Sequence, residues 1–473
     1  MNMKLNIATS CLLFALGSTD ICRARTPNPV KKVTERLQLT TAIFDGDQQA
    51  VQIAERQTIE RMGTTWMRLR IGEFHLGEGS YITTSSLFDG GTQRHTAESL
   101  AEWDRWTAIF NGDAVEVILF VGPNDAGAYV TIESVVYAEV DDIFHEPELP
   151  SPAASLCNGN DNRVASSDSR VGRLFWGGCT GWLISNGGVL TAGHCTDSSG
   201  DIGGVLEFNV PLSSSNGRTF AADPSDQYPV SQNYMAFQDN GTGNDWAQFL
   251  VGANADTGLR AHIAQGFFRL TDGLPAVDTI LRVTGYGVDN VPAGSGGSNA
   301  VCCDASNDDV CEWNCNATAY TQQTSTGRLD DIGDGLIEHE VDTMPANSGS
   351  PIIWESNGLA IGIHTAGGCD DFWNDYDNHG TAFGHPTLAA FVNDLRGGNA
   401  VYVDTARNLT IPFGTVFRPW DTVAQGAAAV PNGGVVSIVE GNYPASSGNT
   451  FIAGNDGKSM TLEAPVGLVT IGN

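Results

Sequence analysis

The sequence has 473 residues, with 24 basic and 55 acidic side chains and a formal net charge of −31 at pH 7. Such a negative surface repels polyanions, so the charge argues against nucleic acid as a partner. The length is too great for one core and predicts about three domains at roughly 150 residues each. Hydrophobic residues make up 41% of the chain, which is enough for ordinary globular cores.

The first 24 residues have the pattern of an export signal. Lys4 gives a positive start, residues 7–16 are mostly apolar, and small residues precede Ala24. The apolar run is too short to span a bilayer. The sequence therefore predicts a signal peptide at 1–24 and a secreted protein, extracellular or periplasmic.

The cysteines fit this localisation. Removing the signal would discard Cys11 and Cys22, leaving 10 − 2 = 8 cysteines. An even number in an exported chain favours disulfides over free thiols. The alternative is a zinc site at Cys302, Cys303, Cys311 and Cys315, but their spacing lacks a Cys-x-x-Cys pair. We expect no metal and no other cofactor.

Residues 25–150 are predicted to form a β-rich pro- or accessory domain. Alternating apolar side chains at 66–71, 115–120 and 129–132 indicate strands, and glycine-containing turns separate them. This pattern is typical of a β-sandwich. A proline-rich acidic stretch at 145–152 is predicted to be a linker.

Residues 156–398 carry a constellation suited to acyl transfer. His194 lies in the run Thr-Ala-Gly-His-Cys after an apolar strand, and Asp245 directly precedes the apolar residues 246–251. Ser348 lies in Asn-Ser-Gly-Ser-Pro, again before a strand. Such chemistry needs a hydroxyl nucleophile, an imidazole base, an orienting carboxylate and backbone N–H donors for the oxyanion.

These motifs and the chain order His, Asp, Ser resemble those of chymotrypsin-like (trypsin-like) serine proteases. The resemblance covers about half of the chain. It implies a double β-barrel, hydrolysis of protein or peptide substrates through an acyl-enzyme, and His194, Asp245 and Ser348 as the catalytic triad. It also implies a disulfide between Cys179 and Cys195.

The loop before the nucleophile departs from the trypsin pattern. The resemblance makes the N–H groups of Ala346 and Ser348 the oxyanion donors, although relatives usually have glycine at the position of Ala346. An alanine there adds a Cβ where the backbone often needs a positive φ. Asn347 replaces the aspartate that pairs with a freed N-terminus in mammalian zymogens, and Asn-Ser-Gly-Ser-Pro is similar to the bacterial glutamyl endopeptidase form.

Two specificities and one non-enzymatic alternative remain open. The glutamyl group implies a substrate-binding site for glutamate at Thr343, His364, Thr365 and Gly367. Asp342 lies where trypsin binds Arg or Lys, so basic specificity is the alternative. An inactive homologue acting as an adhesion or binding protein is the competing class.

The end of the chain has a different composition. Apolar residues at helical spacing from Leu388 to Leu395 predict a short helix that ends before Gly397. Residues 399–473 resemble the start of a parallel β-helix. The runs 412–416, 430–438 and 441–443 resemble its opening coil, and residues 460–464 and 468–472 are predicted to be later strands. The whole chain is therefore expected to be mainly β.

Overall fold

The computed structural model describes residues 32–47, 49–138, 156–157, 161–175, 178–196, 204–214, 219–289, 302–303, 311–312, 317–333, 335–369, 377–394, 399–407, 409–449 and 458–472. The predicted signal peptide and linker lie outside these ranges. Most regular structure is β and helices are few, which confirms the expected fold class. No helix in the described ranges combines the length and apolar character needed to cross a bilayer.

Residues 32–138, called the accessory domain below, form two four-stranded antiparallel sheets. One sheet has the order β1-β8-β3-β6, with bounds Lys32–Thr40, Tyr129–Ala138, Trp66–His75 and Phe110–Asn111. The other has the order β2-β7-β4-β5, with bounds Gln52–Glu60, Ala114–Val121, Tyr81–Ser86 and Thr92–His95. Alternate side chains of both sheets enter a single apolar core, and helix α1 (Ala97–Glu102) closes one end.

The first barrel is a closed ring of six strands. In ring order they are β10, β11, β12, β15, β14 and β13, with bounds Val171–Leu174, Cys179–Leu183, Val189–Thr191, Asp245–Val251, Gln227–Asp239 and Val205–Glu207. Helix α2 (Ala261–Gln265) follows β15. Closure leaves no free sheet edge in this ring.

The second barrel also contains six strands in a ring. They are β16, β21, β22, β23, β20 and β19, with bounds Ile280–Gly285, Pro351–Trp354, Leu359–Ala366, Asn378–Ala382, Leu336–His339 and Gln323–Gly333. Pairing of β16 with β19 closes the ring, and β9 (Val164–Ala165) adds to β19. A small ribbon of β17 (Cys302–Cys303) and β18 (Cys311–Glu312) precedes β19. The two rings confirm the double β-barrel.

The C-terminal block begins after helix α3 (Pro386–Asn393). Strands β24, β25 and β27 pair in parallel, as do β26 and β28; their bounds are Ala400–Val403, Gly434–Ile438, Met460–Glu463, Gly441–Tyr443 and Val469–Ile471. Helix α4 (Val423–Ala429) packs on β24 and β25. In a β-helix, successive coils of the chain contribute strands that pair in parallel, as these strands do.

The first run assigned to the opening coil contributes no strand. Residues 412–416 form a turn, in which the N–H groups of Phe413 and Gly414 both donate to the Arg418 carbonyl. Gly414 has φ of 74°, which a strand cannot accommodate. The parallel sheet begins instead at β24, whose four residues are too few to carry a clear periodic signal.

Candidate active site

The turn that carries His194 is held from both sides. Strand β12 ends at Thr191, and a one-turn 3-10 helix follows at Gly193–Cys195. Gly193 packs so closely against the Gln238 carbonyl that a Cβ would overlap it. A Cys179–Cys195 disulfide with an S–S distance of 2.07 Å ties this turn to β11. The backbone of His194 is therefore held in place between neighbouring strands of the first barrel.

Both carboxylate oxygens of Asp245 hold His194, one through its backbone N–H and the other through its imidazole. The His194 backbone N–H donates to Asp245 Oδ1 at 3.0 Å, and His194 Nδ1 lies 2.6 Å from Oδ2. Asp245 is buried, so solvent does not compete for these bonds. The Thr381 hydroxyl, from the second barrel, accepts from the Asp245 N–H and donates to its carbonyl. With the proton on Nδ1, Nε2 is the basic nitrogen.

Ser348 reaches the same region from the second barrel. Its carbonyl accepts from the Thr180 N–H at 2.9 Å and lies 3.8 Å from Cys195 Sγ, next to the histidine. Gly349, with φ of 90°, turns the chain back toward β21. Ser348 is half-buried, so its hydroxyl is accessible to a substrate. The three predicted triad residues are thus brought together where the barrels meet.

The alanine two residues before Ser348 adopts a left-handed backbone conformation. Ala346 has φ of 78°, in the left-handed region that costs an L-residue about 1–2 kcal/mol. The Thr180 hydroxyl donates to the Ala346 carbonyl at 3.2 Å and accepts from the Tyr286 N–H at 3.0 Å. Thr180 is fully buried, and sequence reasoning missed it. Its contacts hold the strained residue in place.

We expect Ala346→Gly to stabilise the protein by about 1 kcal/mol, because glycine adopts a positive φ without strain. Its kcat should be unchanged or higher by a few-fold, since the loop already has the turned conformation. Thermal unfolding and steady-state kinetics on one peptide substrate measure both effects. A 10-fold loss of kcat would show that the methyl group of Ala346 is itself required.

Two of the predicted specificity residues, Thr343 and His364, have buried side chains. Thr343 Oγ1 is buried without a hydrogen-bond partner among the described residues, which is an uncommon state for a hydroxyl. His364 is buried in β22, and the carbonyl of this histidine accepts from the Gly349 N–H beside Ser348. Thr365 is buried and contacts the His379 carbonyl, whereas Gly367 is half-buried.

Two further histidines accompany His364, and sequence reasoning did not assign them to the site. His339 Nε2 lies 3.3 Å from His364 Nδ1, and His379 lies on the strand between theirs. Burial lowers the pKa of His364 to about 3, with a smaller lowering from His379 and His194 opposed by Asp245. Burial, together with the other two histidines, lowers the pKa of His339 well below its usual value. His364 and His339 are therefore uncharged at neutral pH.

Acidification should destabilise the protein through these buried histidines. An unfolded histidine takes up a proton below about pH 6.5, whereas the folded His364 does so only near pH 3. The contribution of His364 to the free energy of unfolding is therefore fully present above pH 6.5 and declines as the pH falls below it. Each such group contributes about 1.4 kcal/mol per pH unit in that window. Chemical denaturation from pH 8 to 5 measures the slope, which His364→Gln should reduce; a stability that increases on acidification would contradict the expectation.

The surroundings of Asp342 differ from those of an open specificity pocket. Its Oδ1 accepts from the Cys157 N–H at 2.8 Å, and its Oδ2 accepts from the Asn162 N–H at 2.9 Å. Burial raises the pKa of this carboxyl, partly offset by these bonds. A disulfide also joins Cys157 to Cys369 beyond β22. Asp342 thus anchors the segment that enters the protease barrels.

Comparison with known proteins gives one family match. Residues 158–372 match the family model described as Trypsin. No curated protein matches the chain.

Several solved structures are similar at low identity. A Glu endopeptidase in complex with MPD is 17% identical, with a TM-score of 0.36, over 50% of this chain and 96% of its own. Neuropsin, a serine protease from mouse brain, is 15% identical, with a TM-score of 0.30, over 47% and 92%. An inactivated protease paralogue of the scabies mite is 13% identical, with a TM-score of 0.28, over 45% and 84%. Scores this low assign no function.

The double barrel and the matched segment define the chain as a serine endopeptidase, a hydrolase of peptide bonds. Its barrels constitute a trypsin-like protease domain with the chymotrypsin fold.

Proposed function

We propose that the chain is a secreted endopeptidase in which His194, Asp245 and Ser348 act as the triad. Ser348 Oγ attacks the scissile carbonyl while His194 Nε2 takes its proton and later protonates the leaving amine. Asp245 holds the tautomer and stabilises the imidazolium. The N–H groups of Ala346 and Ser348 bind the oxyanion. The two bonds from Asp245 to His194 are the observation that carries this proposal.

We further propose a preference for substrate glutamate. The unpartnered hydroxyl of Thr343 and the uncharged His364 offer two hydrogen-bonding groups to a carboxylate, while His339 contacts the far nitrogen of His364. The alternative, basic specificity through Asp342, is disfavoured because both of its oxygens already accept backbone N–H groups. Asp342 is also buried, which limits the access of a lysine or arginine to its remaining lone pairs.

An organophosphonate ester tests the catalytic assignment without knowledge of the natural substrate. We expect one phosphonyl group per chain, located on Ser348 by peptide mass mapping. Ser350, two residues away and fully buried, is the matched serine that should remain unmodified. No labelling of a folded preparation would favour the inactive-homologue alternative, and labelling elsewhere would refute the assignment of Ser348.

A further inference from the structure

The accessory domain shares its hydrophobic core with the first barrel. Phe175, Val205 and Ala221 of the protease domain are buried in the same cluster as the side chains of the sandwich. The ring of Trp66 meets Phe175 edge to face, with centroids 5.3 Å apart. Separation of the two units would expose this apolar surface on both sides, at about 25 cal/mol per Å².

Two buried side-chain amides form reciprocal bonds across this contact. Gln227 Oε1 accepts from the Ile109 N–H, and its Nε2 donates to the Ile109 carbonyl, each at 2.8 Å. Asn111 does the same in the opposite direction, with the N–H and carbonyl of Ala221 at 2.8 and 3.0 Å. Gln227 is fully buried and Asn111 nearly so. Matched pairs of this kind are typical of permanent interfaces rather than of loosely covering segments.

Helix α1 adds a third pair of bonds at the end of β15. Glu102 Oε1 accepts from the Ala253 N–H at 2.7 Å, and Trp103 Nε1 donates to the Ala253 carbonyl at 3.0 Å. Ala253 is eight residues beyond Asp245, which is about 25 Å along an extended chain. Gln227 likewise begins β14, whose other end pairs with Asp245. These bonds therefore lie at the ends of β14 and β15 that are far from Asp245, whereas Phe175 lies next to Leu174, the strand partner of Cys179.

We infer that residues 32–138 are a permanent accessory domain, bound to the first barrel in the mature enzyme, and not an inhibitory pro-segment. A segment that inhibits by occlusion covers the nucleophile or its groove, yet Ser348 keeps its partial exposure while residues 32–138 are in place. A cut between the domains should give a two-chain enzyme that remains assembled and active. The partner for this face of the barrel is the sandwich of the same chain.

The test uses the full chain with the recognition sequence of a specific protease inserted between residues 138 and 156. After folding and cleavage, we expect both fragments to co-elute in size-exclusion chromatography, with kcat/KM within 2-fold of the uncut enzyme. Dissociation into a free sandwich and a folded, active protease domain would overturn the inference. A large rise in activity on dissociation would identify an inhibitory pro-segment instead.

Interface variants give a second measurement that does not depend on chain folding yield. In the cut Ser348→Ala protein, which cannot digest itself, the pair Asn111→Ala and Gln227→Ala should raise the dissociation constant of the fragments by 10-fold or more. Arg56→Ala, which removes an exposed ion pair to Glu116 within the sandwich, is the matched control and should change it by less than 2-fold. An equal increase in the dissociation constant for the interface pair and for Arg56→Ala would overturn the assigned interface. Because these readouts concern assembly, they are independent of the catalytic assignment.

Discussion

The Asp245→Asn enzyme is expected to lose about 10⁴-fold in kcat with little change in KM. The asparagine can still occupy the site, but its amide can donate toward His194 Nδ1. This bond favours the tautomer in which Nε2 carries the proton, and Nε2 then cannot accept a proton from Ser348. Asparagine also cannot stabilise the imidazolium that forms during attack. Steady-state kinetics on a peptide substrate, with active-site titration, measures the loss.

Asp239→Asn is the matched control for this variant. Asp239 pairs directly with Asp245 across β14 and β15, but its side chain is exposed and no apolar run follows it in the sequence. Its kcat should remain within 3-fold of the parent enzyme. If the two variants were equally impaired, Asp245 would not be the orienting carboxylate. Comparable Tm values for both would exclude unfolding as the cause.

Local sequence motifs predicted the barrels and indicated the three candidate catalytic residues because each motif couples a candidate residue to a backbone requirement. Gly193 before His194 reflects the close approach of the Gln238 carbonyl, and Gly349 after Ser348 reflects a positive φ. Each of these requirements appears in the sequence as a glycine next to the candidate residue. The positive φ of Ala346 was anticipated for the same reason.

The parts that sequence reasoning missed depend on which strands become neighbours. His339 and His379 are 40 residues apart in the chain, and only the order β22-β23-β20 brings both beside His364. Thr180 likewise acts on a loop more than 160 residues away. The anchoring of Asp342 by Cys157 and Asn162 depends on the same long-range assembly. No local spacing encodes these contacts.

Removal of the His364 imidazole should decrease kcat/KM for a glutamyl peptide by about 10- to 100-fold. A hydrogen bond to a charged group contributes about 1.5–3 kcal/mol, and His364→Leu deletes the donor while keeping an apolar side chain of similar size. A matched phenylalanyl peptide should be cleaved within 3-fold of the parent rate, which separates specificity from loss of the nearby nucleophile. His262→Gln, at a buried histidine of the first barrel, is the control for structural disturbance.

The pH dependence of the parent enzyme gives an independent test of the same pocket. In the free enzyme burial lowers the pKa of His364 to about 3, so a bound carboxylate, which favours the charged imidazole, must raise that pKa. Binding then takes up a proton, so the extra affinity is fully present below the pKa of the free enzyme and is lost as the pH rises to the pKa of the complex. The ratio of kcat/KM for glutamyl and glutaminyl peptides should therefore fall, by up to 10-fold per pH unit, between these two pKa values and be constant above the higher one. A ratio that is flat or rises with pH in that interval, or faster cleavage after arginine, would contradict carboxylate recognition by His364 and return Asp342 to consideration.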